Sequence, residues 1–112
     1  METHEYTDGS TTYTIWCGKS ATGNDQILDR CNPADVWFHV DGRSSAHVIL
    51  VNATNEKLNN IPKKVIKRCA CICKASTKEN AKCDVIYTQR KNVEKTDVMG
   101  RVIPRETKTI TI

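Results

Sequence analysis

Two short runs of strand-forming residues around one glycine constrain this chain more than any other feature. Residues 35–50 read Asp-Val-Trp-Phe-His-Val-Asp-Gly-Arg-Ser-Ser-Ala-His-Val-Ile-Leu, the pattern of a β-hairpin turning at Gly42. A loop of Asp41–Ser45 sets the register, so that Val40 faces Ala46 and His39 faces His47. Side chains alternate across a strand. One face therefore holds Val36, Phe38 and Val40 opposite Ala46, Val48 and Leu50, and must be core. The other holds Asp35, Trp37 and His39 opposite His47, Ile49 and Val51. An indole, two imidazoles and a carboxylate exceed what a structural sheet needs on its second face. Function is expected there, with the Trp37 ring exposed.

The rest of the chain supplies the frame. Thr11–Cys17 is rich in β-formers and predicts a strand, while Met1–Ser10 reads as a flexible polar end. A turn region around Gly18 and Gly23 leads into a short helix over Asp25–Arg30 with Asn24 as its cap. Pro62 starts a long helix over Lys63–Ser76, with Ile61, Val65, Cys69, Ile72 and Cys73 as its buried stripe. Cys83–Gln89 predicts a strand, Arg90–Met99 a charged connection, Gly100–Ile103 a short strand and Thr107–Ile112 a closing one. The expectation is a single α+β domain over residues 11–112. A mainly antiparallel sheet of about five strands is packed by one long and one short helix.

Composition narrows the function classes. No apolar run is long enough to span a membrane, and the acidic N-terminus fits neither a secretory signal nor a transit peptide. A cytoplasmic protein, with the nucleus as the other compartment, is expected. Its six cysteines are then reduced thiols rather than a disulfide framework. The net charge of +4 hides an asymmetry: residues 1–56 carry three basic and eight acidic side chains, residues 57–112 fourteen and five. The basic half predicts a polyanionic partner, with Lys67, Arg68 and Lys91 among its candidate phosphate contacts and Arg43 beside them in the hairpin turn.

Other chemistry is thinly signalled. Cys69, Cys71 and Cys73 alternate, and residues two apart on a helix point about 200° apart, so they cannot share one ion. They are read as a helix whose first and last thiols are core. His39 and His47, with Cβ atoms about 5 Å apart as cross-strand neighbours, leave several roles open. They could contact RNA, hold the hairpin, share a metal with Asp35 or a cysteine, or act as an acid–base pair on RNA or a nucleotide. No nucleophile elbow, phosphate loop or zinc spacing accompanies them, and no cofactor is implied.

These residues also carry a resemblance. Asp35-Val-Trp-Phe-His-Val40, Ser44-Ser-Ala-His-Val48 and Gly18-Lys-Ser-Ala-Thr-Gly-Asn-Asp-Gln-Ile-Leu28 resemble the NFACT RNA-binding domain. So do Ile61-Pro-Lys-Lys-Val65, Val85-Ile-Tyr-Thr88, Asn92-Val-Glu-Lys95 and Lys108-Thr-Ile-Thr-Ile112. The Ser-Ser-Ala-His loop is most like the family's small stand-alone eukaryotic members. The resemblance implies a non-catalytic RNA-binding module linked to tRNA, rRNA or the ribosome, in translation or ribosome quality control. A protein adaptor docked on the ribosome is the alternative to it, beside the enzyme. The binding positions it implies are Gly18, Lys19, Asn24, Asp25, Asp35, Trp37, His39, Ser45 and His47, then Tyr87, Thr88 and Lys95.

Overall fold

The hairpin forms in the expected register, with Val36 opposite Leu50, Trp37 opposite Ile49 and Phe38 opposite Val48. The computed structural model describes residues 1–112. In chain order it runs β1 (Glu2–Asp8), β2 (Thr11–Gly18), α1 (Ala21–Arg30), β3 (Val36–Val40), β4 (His47–Leu50) and α2 (Lys63–Thr77). Then come β5 (Asp84–Gln89), β6 (Val93–Lys95), β7 (Val102–Pro104) and β8 (Lys108–Thr111). Six strands form one antiparallel sheet in the order β1-β2-β4-β3-β5-β8, and β6 and β7 pair separately. The fold is α+β.

Strand β1 corrects the expectation of a flexible end and supplies the sixth strand. It pairs with β2 along its whole length, from Glu2 opposite Cys17 to Asp8 opposite Thr11. Tyr6 packs against the core edge, and the Arg68 guanidinium lies 5.8 Å from its ring centroid. The segment is polar because it is an edge strand with one wet face, and the Gly9-Ser10 turn was its signal.

Both faces of the sheet are covered, and this decides what the hairpin does. Helix α2 lies on the face of Val36, Phe38, Val40, Val48 and Leu50, and places Val65, Cys69, Ala70 and Cys73 into a cluster of 15 buried residues. Cys71 points outward, so the alternating cysteines separate as helix geometry requires. On the other face, Ile27 and Leu28 of α1 and Val93 of β6 close over Trp37 and Ile49. The connection expected over Arg90–Met99 therefore contains a strand that belongs to this second core.

Helix α1 starts earlier than Asp25. Ser20 is its cap and accepts a hydrogen bond from the Gly23 amide at 3.0 Å, the bond a serine cap makes to the first turn. Asn24 thus sits inside the helix. Asn52 is also committed to the fold. Its amide donates to Ala34 O and Glu56 O, and its Oδ1 accepts from Glu56 N, so its glycosylation-like pattern marks a loop staple.

Candidate nucleic-acid interface

Where β3 and β4 run past the edge of the second core, the sheet opens into a cleft of about 690 Å3. Trp37, His39 and His47 form its floor. Its walls are the start of α1 (Lys19–Asn24), the hairpin loop (Asp41–Ala46), the end of α2 (Ser76 and Thr77) and the segment Val98–Val102. Two glycines allow these walls to converge. A Cβ on Gly18 would lie 2.6 Å from Asn24 Oδ1, the atom that accepts the His47 amide proton at 3.1 Å. Gly100 has φ +81° and packs so close that a Cβ would stand 3.0 Å from Ala21 Cα. It brings the β6–β7 loop against the start of α1.

The floor is a small network of rings. Trp37 Nε1 donates to His47 Nδ1 at 3.2 Å. His39 stacks on Trp37 with centroids 5.5 Å apart and meets His47 edge-on at 5.1 Å. Burial holds the His47 imidazole down to about 4, with His39 adding a little, and burial also lowers His39. Both rings are therefore neutral at pH 7. Because His47 Nδ1 accepts, its ring proton is on Nε2. No fully buried side-chain nitrogen or oxygen lacks a partner, and Nε2 has none within the chain, so this N–H opens on the cleft. The charges sit higher. Lys19, Arg43 and Arg101 rim the cleft, against Asp41 alone, and Lys19 and Arg43 also reach Glu2 and Glu79 at 2.9 and 2.6 Å.

Of the positions anticipated from sequence, Lys19, Asn24, Trp37, His39, Arg43, Ser45 and His47 line this cleft, and Gly18 underlies it. Several are there to build it. Trp37 is 1% exposed, which corrects the expectation of an open stacking ring: the apolar side chains of α1 and β6 cover its face. Ser45 Oγ accepts from Val40 N, donates to Ala46 O and meets Thr77 Oγ1 at 3.1 Å, pinning the loop to the end of α2. Asp35 is 1% exposed and accepts from the Asn32 and Asn52 amides, both at 2.8 Å, so it ties the approach to β3 to the loop after β4 rather than facing the cleft.

The remaining positions lie elsewhere. Asp25 pairs with Lys95 at 3.0 Å, and Lys95 also reaches Asp29. Tyr87 stacks on Phe38 at 5.4 Å on the α2 face, and Thr88, wholly buried, bonds Glu106 O and Asn92 Nδ2. Lys91 is exposed on the turn before β6, outside the cleft lining. Lys67 and Arg68 are exposed on α2, beyond the opposite face of the sheet. No three His, Cys, Asp or Glu side chains converge in a metal-binding group. Met99 and Val98 were not anticipated. They stand 55% and 51% exposed at the cleft mouth, and only the glycine beside them, Gly100, hinted at a close approach.

A family model described as the NFACT protein RNA binding domain matches residues 3–109. The chain is similar to coiled-coil domain-containing protein 25 of Mus musculus, 42% identical over 90 residues that make up 78% of this chain and 43% of that protein. Its homolog in Dictyostelium discoideum is 33% identical over 96 residues, 81% of this chain and 47% of that one. Protein JLP2 of Saccharomyces cerevisiae is 36% identical over 101 residues, 84% of this chain and 48% of JLP2. The chain spans less than half the length of these relatives. Among solved structures, the C-terminal part of the fibronectin/fibrinogen-binding protein from Streptococcus suis matches all of this chain and 45% of that one. The TM-score is 0.81 at 18% identity, a likeness of fold.

Proposed function

Since the chain belongs to the NFACT RNA-binding domain family, we propose that it is a non-catalytic RNA-binding module that engages tRNA or rRNA at the ribosome, in translation or ribosome quality control. One observation carries this reading: a cleft with uncharged hydrogen-bonding rings on its floor and cations on its rim. Protein–RNA contacts divide in the same way, with cations holding phosphates and neutral edges or rings meeting bases. The imidazoles support binding over acid–base work. His47, held by burial to about 4, is a weak base near pH 7, and its one free ring nitrogen carries a proton that a neutral imidazole does not readily give up.

The exposed lysines of α2 (Lys63, Lys64 and Lys67) supply a second cationic surface, suited to sequence-independent phosphate contact. Crosslinking in cells followed by sequencing of the attached RNA tests the reading. Adducts on Lys19, His39 or Met99 with tRNA or rRNA fragments support it. Crosslinks confined to protein neighbours would replace it with the adaptor reading.

A further inference from the structure

The cleft holds an unused donor. His47 is 2% exposed, its Nδ1 is taken by the Trp37 indole, and its Nε2–H faces the cleft without a partner. Held by Trp37, this donor is aimed at the cleft with no side chain having to move, and a second imidazole, His39, which also lies against the Val40 backbone, stands with its ring centroid 5.1 Å from that of His47. One His39 ring nitrogen lies by the Val40 backbone, and the other can present a donor or an acceptor to the cleft. Two adjacent neutral groups of this kind match the edge of a heteroaromatic ring better than a phosphate, which would seek the cations, and those stand at the rim.

The mouth of the cleft adds an apolar side. Met99 and Val98 are among the four large hydrophobic residues this chain exposes, and both line the cleft. A methionine is unbranched and polarizable and adapts to the face of an aromatic ring. The volume of about 690 Å3 falls within the roughly 300–1,000 Å3 range of small-ligand pockets, ample for one base and its sugar. A paired base could not enter, because its edge is occupied and its faces are stacked.

We propose that this cleft receives a single unpaired nucleobase of an RNA chain, read along its edge by His47 Nε2–H and a His39 ring nitrogen, covered by Met99, with Lys19 and Arg101 on the flanking phosphates. The proposal rests on the RNA reading above. It adds that the cleft takes a base and that the ordering of His47 by Trp37 fixes a donor toward it.

The test compares two probes on the intact chain: a short single-stranded RNA and an abasic ribose-phosphate chain of the same length and charge. The RNA binds more tightly by roughly 5- to 150-fold, the range that a two-point hydrogen-bonded contact to one base edge covers. His39→Ala narrows that ratio toward one, and so does Met99→Ala, whose exposed side chain supports no core. Lys63→Glu lowers both affinities and keeps the ratio. A free nucleoside monophosphate binds more weakly than the RNA, because it lacks the neighbouring phosphates; equal affinity would overturn the assignment to a chain. Equal binding of the RNA and the abasic chain by the wild type overturns the base pocket and leaves the RNA-binding reading standing. If neither probe binds, the RNA-binding reading itself falls, and the pocket with it.

Discussion

Acid should weaken this fold chiefly through one side chain. His47 takes up a proton at 6.5 when unfolded, but burial holds it to about 4 in the folded chain. Above pH 6.5 neither state carries the proton and His47 contributes no pH dependence. Below it the unfolded chain binds a proton that the folded chain refuses, so stability falls as pH drops from 6.5 toward 4. At 1.36 kcal/mol per pH unit the full effect is about 3 kcal/mol, with about 2 kcal/mol already lost by pH 5. That is a large share of a domain's typical stability of about 5–15 kcal/mol. Urea denaturation at pH 7, 6, 5 and 4.5 measures it, with His47→Asn as the reference. Asparagine offers Trp37 an acceptor near the Nδ1 position and does not titrate. The variant is less stable at pH 7 but has a shallower slope between pH 6.5 and 4, and adding His39→Asn removes the smaller share that half-buried His39 contributes. Parallel curves for wild type and His47→Asn would refute the assignment of a buried, neutral His47.

Three other perturbations separate building residues from binding residues. Trp37→Ala empties the second core and costs about 3–5 kcal/mol of stability, read by thermal melting, so weaker RNA binding by that variant reports unfolding rather than removal of a stacking surface. Gly18→Ala puts a methyl group 2.6 Å from Asn24 Oδ1 and strips the His47 amide of its acceptor, at about 1–3 kcal/mol; a melting temperature equal to that of wild type would contradict this packing. Lys63→Glu with Lys67→Glu leaves the fold intact and makes the plot of log affinity for single-stranded RNA against log salt shallower, by about 0.7 for each phosphate that is no longer neutralised.

The α2 face of the fold was legible because its rules are local. Val36, Phe38 and Val40 alternate with period two, and Val65, Cys69 and Cys73 recur at helical spacing, so both elements announced the face they share. The second face was harder. Alternation along the strands places Trp37, His39 and His47 on it, but whether that face is wet or covered depends on Ile27, Leu28 and Val93, which arrive from two distant segments. None of these looks like core in its own setting: α1 is polar around Asp25, Asp29 and Arg30, and Val93 sits between Asn92 and Glu94. The same applies to Asp35, whose carboxylate looked like chemistry until its two amide partners, Asn32 and Asn52, were brought to it by the turns on either side of the hairpin. Polar residues of a site and polar residues of a buried staple have the same letters. Long-range packing tells them apart.

The layout of the two candidate surfaces follows from that packing. The cleft opens on the α1 side of the sheet, and α2 covers the opposite side, so the sheet itself stands between His39 and most of the helix. The surfaces meet at one place: Ser76 and Thr77, the end of α2, form part of the cleft wall. From there the helix rises 1.5 Å per residue, which sets Lys74 about 5 Å, Lys67 about 15 Å and Lys63 about 21 Å back along its axis from Thr77. A single strand with one base in the cleft would therefore have to bend around the sheet's edge at Ser45 and Thr77 to reach these lysines. That edge is held by the hydrogen bonds of Ser45 and Thr77 to each other and to Ala46. The hairpin loop thus defines both the cleft and the corner between the two surfaces, and the stretch from Trp37 to His47 supplies the buried rings of the floor together with the exposed turn Asp41–Ser44.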